Sequence, residues 1–270
     1  MRIHAGYEIA LQCATPTPLL GLLSVHPSRI ADLVSTGGVT REPAGPMQSF
    51  VDAFGNACTR LTAPEGLLKL RTDFVIEAKP SLAPGPGGAA EVPVEQLPDA
   101  VVQYLLGSRY CETDKLSSAA WSLFGSTPRG YARAQAIARY VQEQITFDYE
   151  YASATRSACG VYRDRRGVWR DFVHLAVTFC RCMNIPARYC TGYRAATDAS
   201  DTDAPTDFAA WMEVFLDGGW YAFGPRDAGS LAGNVGHVLM ATGRDAADVP
   251  IYTTFGPSEL VGFRVFADAM

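Results

Sequence analysis

The chain has 270 residues, of which 48 % are hydrophobic and 19 % charged, and its formal net charge is −5 at pH 7. This composition disfavours a disordered chain and a coiled coil, and the acidic balance disfavours a nucleic-acid partner. No apolar run reaches the length of about 18 residues that a membrane helix needs, and the first residues resemble no secretory signal. We therefore expect a globular cytoplasmic protein with neither a nucleic-acid nor a membrane partner.

The first eighty residues contain short apolar or alternating runs separated by proline and glycine, a pattern typical of antiparallel strands. These runs are Tyr7 to Leu11, Leu19 to Val25, Gln48 to Phe54, Leu67 to Leu70, and Phe74 to Ala78. Residues 81–95 are rich in proline, glycine and alanine, which is typical of a linker. We therefore predict an N-terminal β domain over residues 1–80, a linker over 81–95 and a second domain over 96–270.

Helical spacing of apolar residues dominates the first part of the second domain. The predicted helices are 101–106, 115–124, 129–145 and 168–183. They are followed by predicted strands at 187–193, 209–216, 220–223, 237–242 and 262–266, with Gly218-Gly219 as a tight hairpin between two of them. Helices followed by antiparallel strands predict an α+β fold in which helices pack on a sheet.

The chain has seven cysteines, an odd number, and no export signal, so we expect free thiols rather than a disulfide framework. Cys180 and Cys182 lie two apart in a predicted helix, where their side chains point about 200° away from each other. No Cys-x-x-Cys pair is present. The glycine-rich linker also lacks the Lys-Ser/Thr of a phosphate loop. We therefore expect no metal and no cofactor.

Several sequence boxes resemble the transglutaminase-like superfamily. They are Gly167-Val-Trp-Arg-Asp-Phe172 with His174, residues 184–193, residues 207–214 and residues 219–225. Residues 25–29, 54–56 and 106–110 are similar to the β domain that precedes the core in bacterial members. The resemblance implies a papain-like core in which a Cys at a helix N-terminus attacks an amide, a His on a neighbouring strand is its base, and an Asp on the next strand orients the His.

Each of these three active positions carries a different residue here. The resemblance places the nucleophile at Trp169, the base at Ala209 and the orienting carboxylate at Gly224. Indole cannot attack a carbonyl, and removal of one member of such a unit costs on the order of 10⁴–10⁶ in rate. We therefore expect no thiol acyl transfer by the family mechanism. Trp169 either plugs the pocket or forms a stacking wall beside the space left by the two small residues.

Other residues are candidates for a modified site. Cys159 is either a relocated nucleophile, with His174 or His237 as its base, or a small apolar filler. Asp171 and His174 lie three apart on the helix and are either an acid/base pair or structural groups.

The remaining candidates are charged or aromatic residues that the resemblance places near the same pocket. Asp207 and Asp227 are either site carboxylates or solvated turn charges. Arg170 and Arg226 either bind an anion or form surface ion pairs. The aromatic candidates are Tyr162, Tyr193, Trp211 and Tyr221.

Three functions follow. The first is a non-hydrolytic binding or partner subunit built on an enzyme scaffold. The second is a thiol-independent enzyme that performs a cyclisation, elimination or proton transfer on a small amine, amide or acid metabolite. The third is a residual amidase or acyltransferase that acts through Cys159. The partner is accordingly a small-molecule metabolite or another protein.

Overall fold

The structure is a computed structural model that describes residues 1–35, 37–195, 207–226, 229–231 and 233–270. Antiparallel sheets and α-helices segregate along the chain, which confirms the predicted α+β class. Among the described residues, no helix combines the length and the apolar character that crossing a membrane requires.

Two antiparallel sheets build the N-terminal region. The first has the order β16-β1-β7-β3, with β4 also paired to β7, and the second has the order β15-β2-β6-β5. Their strands are β1 (Arg2–Cys13), β2 (Thr17–Gly21), β3 (Leu33–Ser35), β4 (Thr40–Glu42), β5 (Gln48–Val51), β6 (Ala57–Ala63), β7 (Gly66–Glu77), β15 (Tyr252–Thr254) and β16 (Ser258–Ala269). Apolar residues of both sheets form one shared core, because alternate residues of each strand face inward.

Strand β7 is longer than the sequence analysis predicted. The two apolar runs Leu67 to Leu70 and Phe74 to Ala78 belong to this single strand, which ends at Glu77. Arg71 and Asp73 lie between the two runs and are exposed, while Thr72 is buried. The alternation that defines a strand therefore continues through the polar residues.

The C-terminal strand lies in the N-terminal region, which corrects the prediction that residues 262–266 belong to the sheet of the second domain. Strand β16 pairs with β1, so that Val265 lies opposite Tyr7. Strand β15 likewise pairs with β2. Burial of the inward faces of β1 and β16 in one core explains this pairing, which joins the two ends of the chain. The division of the chain at residues 81–95 stays a prediction.

The rest of the chain surrounds one buried helix. The helices are α1 (Asp99–Val102), α2 (Thr113–Phe124), α3 (Tyr131–Gln144), α4 (Ala158–Asp164) and α5 (Trp169–Cys182). Helix α5 is buried from Asp171 to Cys182 and contacts α2, α3 and α4. The sequence predicts α2, α3 and α5 but not α4, which is only two turns long.

An antiparallel sheet of order β13-β12-β11-β10-β14 covers α5. Its strands are β10 (Ala187–Arg194), β11 (Ala209–Leu216), β12 (Gly219–Gly224), β13 (Gly229–Ser230) and β14 (His237–Gly243), while β8 (Thr146–Phe147) and β9 (Arg166–Gly167) form a short parallel pair before α5. The predicted hairpin joins β11 to β12, and its two turn residues are Asp217 and Gly218. Both have positive φ, as a two-residue turn of the primed type requires.

Candidate functional site

The candidate site is centred on the first turn of α5, where Trp169 is the first helical residue. Val168 is extended, and its N–H donates to Oδ2 of Asp171 at 3.0 Å, which starts the helix. A Cβ atom at position 167 would lie 2.7 Å from the Asp171 side chain, so Gly167 allows this close approach. The local sequence Gly-Val-Trp-Arg-Asp thus places an indole at the N-terminus of a buried helix.

One end of the three central strands of the sheet lies beside this indole. Strand β10 ends at Arg194, whose guanidinium carbon is 5.5 Å from the indole centroid of Trp169. Strand β12 ends at Gly224, and the guanidinium of Arg226, two residues later, is 3.8 Å from the same centroid. Strand β11 begins at this same end of the sheet, because Ala209 pairs with Gly192 of β10. Positions 169, 209 and 224 therefore belong to one end of the core.

Aromatic and cationic groups surround Trp169. Its ring makes an edge contact with Phe147 at 6.0 Å, and Arg226 also lies 4.0 Å from the Phe147 centroid. The main-chain carbonyl of Arg226 accepts a hydrogen bond from Gln142 Nε2 at 3.1 Å, which ties this end of the sheet to α3. A cation over an indole contributes about 0.5–2 kcal/mol. The half-buried indole is thus held in one place by its neighbours.

The His174 imidazole is fully buried in α5 and is bonded within the protein. Its Nε2 accepts the N–H of Ala246 at 3.1 Å, and its ring stacks on Tyr110 at 5.0 Å. Burial lowers the pKa of His174 well below its usual value, and the charges of Arg170 and Arg181 add to this effect. The imidazole is therefore neutral at pH 7, and this geometry supports a structural role.

Asp171 and Arg170 also make contacts inside the protein. Asp171 is fully buried, and burial raises the pKa of its carboxyl although Arg170 Nη2 lies 3.6 Å from Oδ1. Arg170 donates to the carbonyl of Ser153, and its guanidinium lies 5.1 Å from the Tyr110 centroid. These contacts connect the first turn of α5 to the preceding loops.

Cys159 lies near the start of α4 and is half-buried against the core. Its main-chain N–H donates to Glu112 Oε2 at 3.1 Å. Among the described residues its sulfur makes no hydrogen bond to an imidazole. His174 is bonded to a main-chain N–H, and His237 pairs with Asn234. The contacts therefore do not join Cys159 to either of its candidate bases.

The other thiols lie in the core. Cys13, Cys58, Cys111, Cys180, Cys182 and Cys190 are buried, and all seven cysteines are free. The described part of the chain contains no group of three or more side chains suited to hold a metal ion.

Comparisons with known proteins agree with this architecture. The sequence pattern of the Transglutaminase-like superfamily matches residues 119–225. The crystal structure of a proposed cysteine protease from Cytophaga hutchinsonii is 27 % identical, covers 99 % of this chain and 90 % of that one, and superposes with a TM-score of 0.87. These findings support a transglutaminase-like core in this chain.

Two further similarities are more distant. An uncharacterized protein of Mycobacterium leprae is 24 % identical over 230 residues, which span 81 % of this chain and 80 % of that protein. The periplasmic domain of TgpA from Pseudomonas aeruginosa is 13 % identical, with a TM-score of 0.41 over 82 % of this chain and 89 % of that one.

The remaining candidate site residues do not lie together at the start of α5. Asp207 is exposed just before β11, and its Oδ1 accepts the N–H of Phe208 at 2.6 Å. Trp211 faces away from α5, in a cluster with Cys190 and Leu239. Asp227 lies outside the described residues.

Three aromatic candidates pack elsewhere in the core. Tyr221 contacts Tyr131 at 5.8 Å, and Tyr162 contacts Phe179 at 5.7 Å. Tyr193 packs in the core of the N-terminal sheets. Of the aromatic candidates, Trp169 is thus the one that lies at the start of α5.

Two residues beside Trp169 escaped the sequence analysis, namely Phe147 and Arg194. Arg194 follows directly after the predicted strand 187–193, at the end of the sheet where the resemblance places the base and the carboxylate. That position is a sequence signal for its proximity. Phe147 reaches the indole only because β8 pairs with β9, which a two-residue strand does not reveal in sequence.

Proposed function

We propose that this transglutaminase-like protein performs no thiol acyl transfer and acts by binding, as a non-hydrolytic binding or partner subunit on an enzyme scaffold. The observation that carries the proposal is the indole of Trp169 at the start of α5, with the Arg226 guanidinium 3.8 Å from its centroid. A helix N-terminus activates a thiol because its unpaired N–H groups favour the thiolate. An indole has no such nucleophilic form.

The positions that the resemblance assigns to the base and to the orienting carboxylate support the same proposal. Ala209 supplies no imidazole and Gly224 no carboxylate, so in the described part of the chain the two positions that the resemblance assigns to the base and its orienting group carry neither. The Cytophaga protein is proposed to be a cysteine protease, a chemistry that needs a thiol at the helix start. We therefore do not extend that activity to this chain.

The acid/base candidates favour binding over a thiol-independent reaction. Asp171 and His174 are fully buried, and each bonds to a main-chain N–H of the protein. A general acid or base must come within hydrogen-bond reach of its substrate. Groups that complete the fold in this way are poorly placed for a cyclisation, elimination or proton transfer.

A reactivity experiment tests the proposal. The wild-type protein should neither hydrolyse a peptide amide nor transfer a glutamine acyl group to an amine, with or without prior treatment with iodoacetamide. Turnover that disappears in Cys159→Ser would overturn the proposal in favour of the residual amidase.

A second measurement addresses the missing base directly. In a Cys159→Ser background, we expect Trp169→Cys to react with iodoacetamide only modestly faster than an ordinary thiol, because a helix N-terminus without an imidazole lowers the thiol pKa only in part. Adding Ala209→His and Gly224→Asp should raise that rate about tenfold at pH 7, because the imidazole stabilises the thiolate. A Trp169→Cys variant that reacts more than about tenfold faster than an ordinary thiol would contradict the absence of a base. That result is decisive even if the triple variant fails to fold.

A further inference from the structure

A cavity of about 230 Å³ lies on the face of the core sheet that is turned away from α5. Trp211 and Glu213 line it, whereas Met212 and Val214, which alternate with them along β11, pack in the core around α5. The opposite wall comes from the N-terminal region, with Arg29 and Lys79 among its residues. We call this space the tryptophan cavity, after Trp211 and Trp220 in its lining.

The lining of the tryptophan cavity is cationic. Arg188 donates to Glu213 at 2.6 and 2.8 Å, so these two charges compensate each other. Arg29 donates to Asp32 at 2.7 Å, and Lys79 pairs with the same carboxylate. The buried carboxylate of Asp32, which is not part of the lining, therefore pairs with two cations, Arg29 and Lys79. An anion that enters the cavity meets an excess of positive charge on the N-terminal wall.

Aromatic surfaces form the other wall. The guanidinium of Arg188 lies 4.1 Å from the Trp220 ring, which fixes the orientation of that indole. The Trp211 ring makes an edge contact with the His237 imidazole at 5.0 Å. Flat apolar groups held in this way are suited to pack against a planar ligand.

His237 adds a hydrogen-bond acceptor to the cavity. Asn234 Oδ1 accepts the N–H of Gly236 at 2.8 Å and lies 3.0 Å from Nδ1 of His237. An oxygen is an acceptor, so Nδ1 carries the proton and Nε2 presents its lone pair. Burial and the charge of Arg194 lower the pKa of His237 to about 4, which keeps the ring neutral at pH 7.

We propose that the tryptophan cavity binds a small planar organic anion, a carboxylate on a single ring that carries a hydroxyl group. Its carboxylate pairs with Arg29 and Lys79, its ring packs on the indoles, and its hydroxyl donates to Nε2 of His237. This site depends on residues other than those at the start of α5. The proposal therefore stands or falls separately from the absence of thiol chemistry.

Calorimetric titration with three related probes tests the proposal. 4-Hydroxybenzoate has all the required groups, benzoate lacks the hydroxyl, and 4-hydroxybenzamide lacks the charge. We expect 4-hydroxybenzoate to bind at one site per chain, and each of the other probes to bind about tenfold more weakly, because each loses one hydrogen bond or ion pair. Absence of saturable binding of 4-hydroxybenzoate up to about 10 mM would overturn the proposal.

Two variants assign the contacts. Lys79→Gln should abolish the preference for the carboxylate over the amide, and His237→Phe should abolish the preference for the hydroxylated probe. Arg163→Gln, at an exposed position on α4, is the control and should preserve both preferences. Binding that keeps both preferences in Lys79→Gln and His237→Phe would place the ligand elsewhere and refute the site. Lys79 is mostly exposed, so its variant decides the question even if His237→Phe fails to fold.

Discussion

Replacement of Asp171 separates the two properties of its carboxylate, its hydrogen bond and its buried charge. Asparagine keeps an oxygen that accepts the N–H of Val168 at 3.0 Å, whereas alanine leaves that N–H without its partner. Loss of such a cap costs about 1–2 kcal/mol. For a chain of this size, 1 kcal/mol corresponds to about 2–4 °C in melting temperature. We therefore expect Asp171→Ala to melt about 4 °C below Asp171→Asn.

The charge predicts a dependence on pH with a definite sign. Burial raises the pKa of the Asp171 carboxyl above its ordinary value of 3.8, so the folded state holds this proton more tightly than the unfolded state. The stability that this group contributes is complete below the unfolded pKa and is lost as pH rises through the folded pKa. Relative to Asp171→Asn, the wild-type protein should therefore be more stable at acid pH than at neutral pH.

Thermal unfolding of wild type, Asp171→Asn and Asp171→Ala at about pH 4 and pH 7.5 measures both effects. Equal melting temperatures of the two variants would show that the cap contributes nothing. A wild-type advantage over Asp171→Asn that grows towards neutral pH would show that the ion pair with Arg170, 3.6 Å away, outweighs burial. Either result would refute the reasoning.

Three further changes have defined outcomes. Arg181→Met should lose about 3 kcal/mol in urea unfolding, because the buried guanidinium donates to three main-chain carbonyls, whereas the exposed control Arg163→Met should lose almost nothing. His174→Leu should lose about 1–3 kcal/mol at neutral pH. Its difference from wild type should shrink below about pH 6.5, because the lowered pKa makes the folded imidazole resist protonation. In a thiol-labelling assay at neutral pH, Cys159 should react first and Cys159→Ser should remove that phase. Buried thiols should react slowly; burial raises the pKa of Cys58 to about 11. Fast labelling of Cys58, a neutral Arg181→Met, or a pH-independent His174→Leu would each contradict its prediction.

Local patterns in the sequence were sufficient to predict several elements of the core. The apolar stripe of α5, the glycine at 167 and the Asp171 cap are encoded within about fifteen residues, so the start of the helix and the indole at its first position follow from sequence. The β11–β12 hairpin is local in the same way, because a two-residue turn needs positive φ at adjacent positions.

The tertiary structure decided which distant segments meet. Pairing of Tyr7 with Val265, the two arginines beside Trp169 and the tryptophan cavity all join residues far apart in the chain. An amphipathic strand pattern specifies which face is buried but not which strand lies beside it. The neighbour is chosen by packing of whole sheets and helices, where many long-range contacts are satisfied together. That is why the sequence predicted the three positions at the start of α5 and on the sheet, while their surroundings and the tryptophan cavity required the fold.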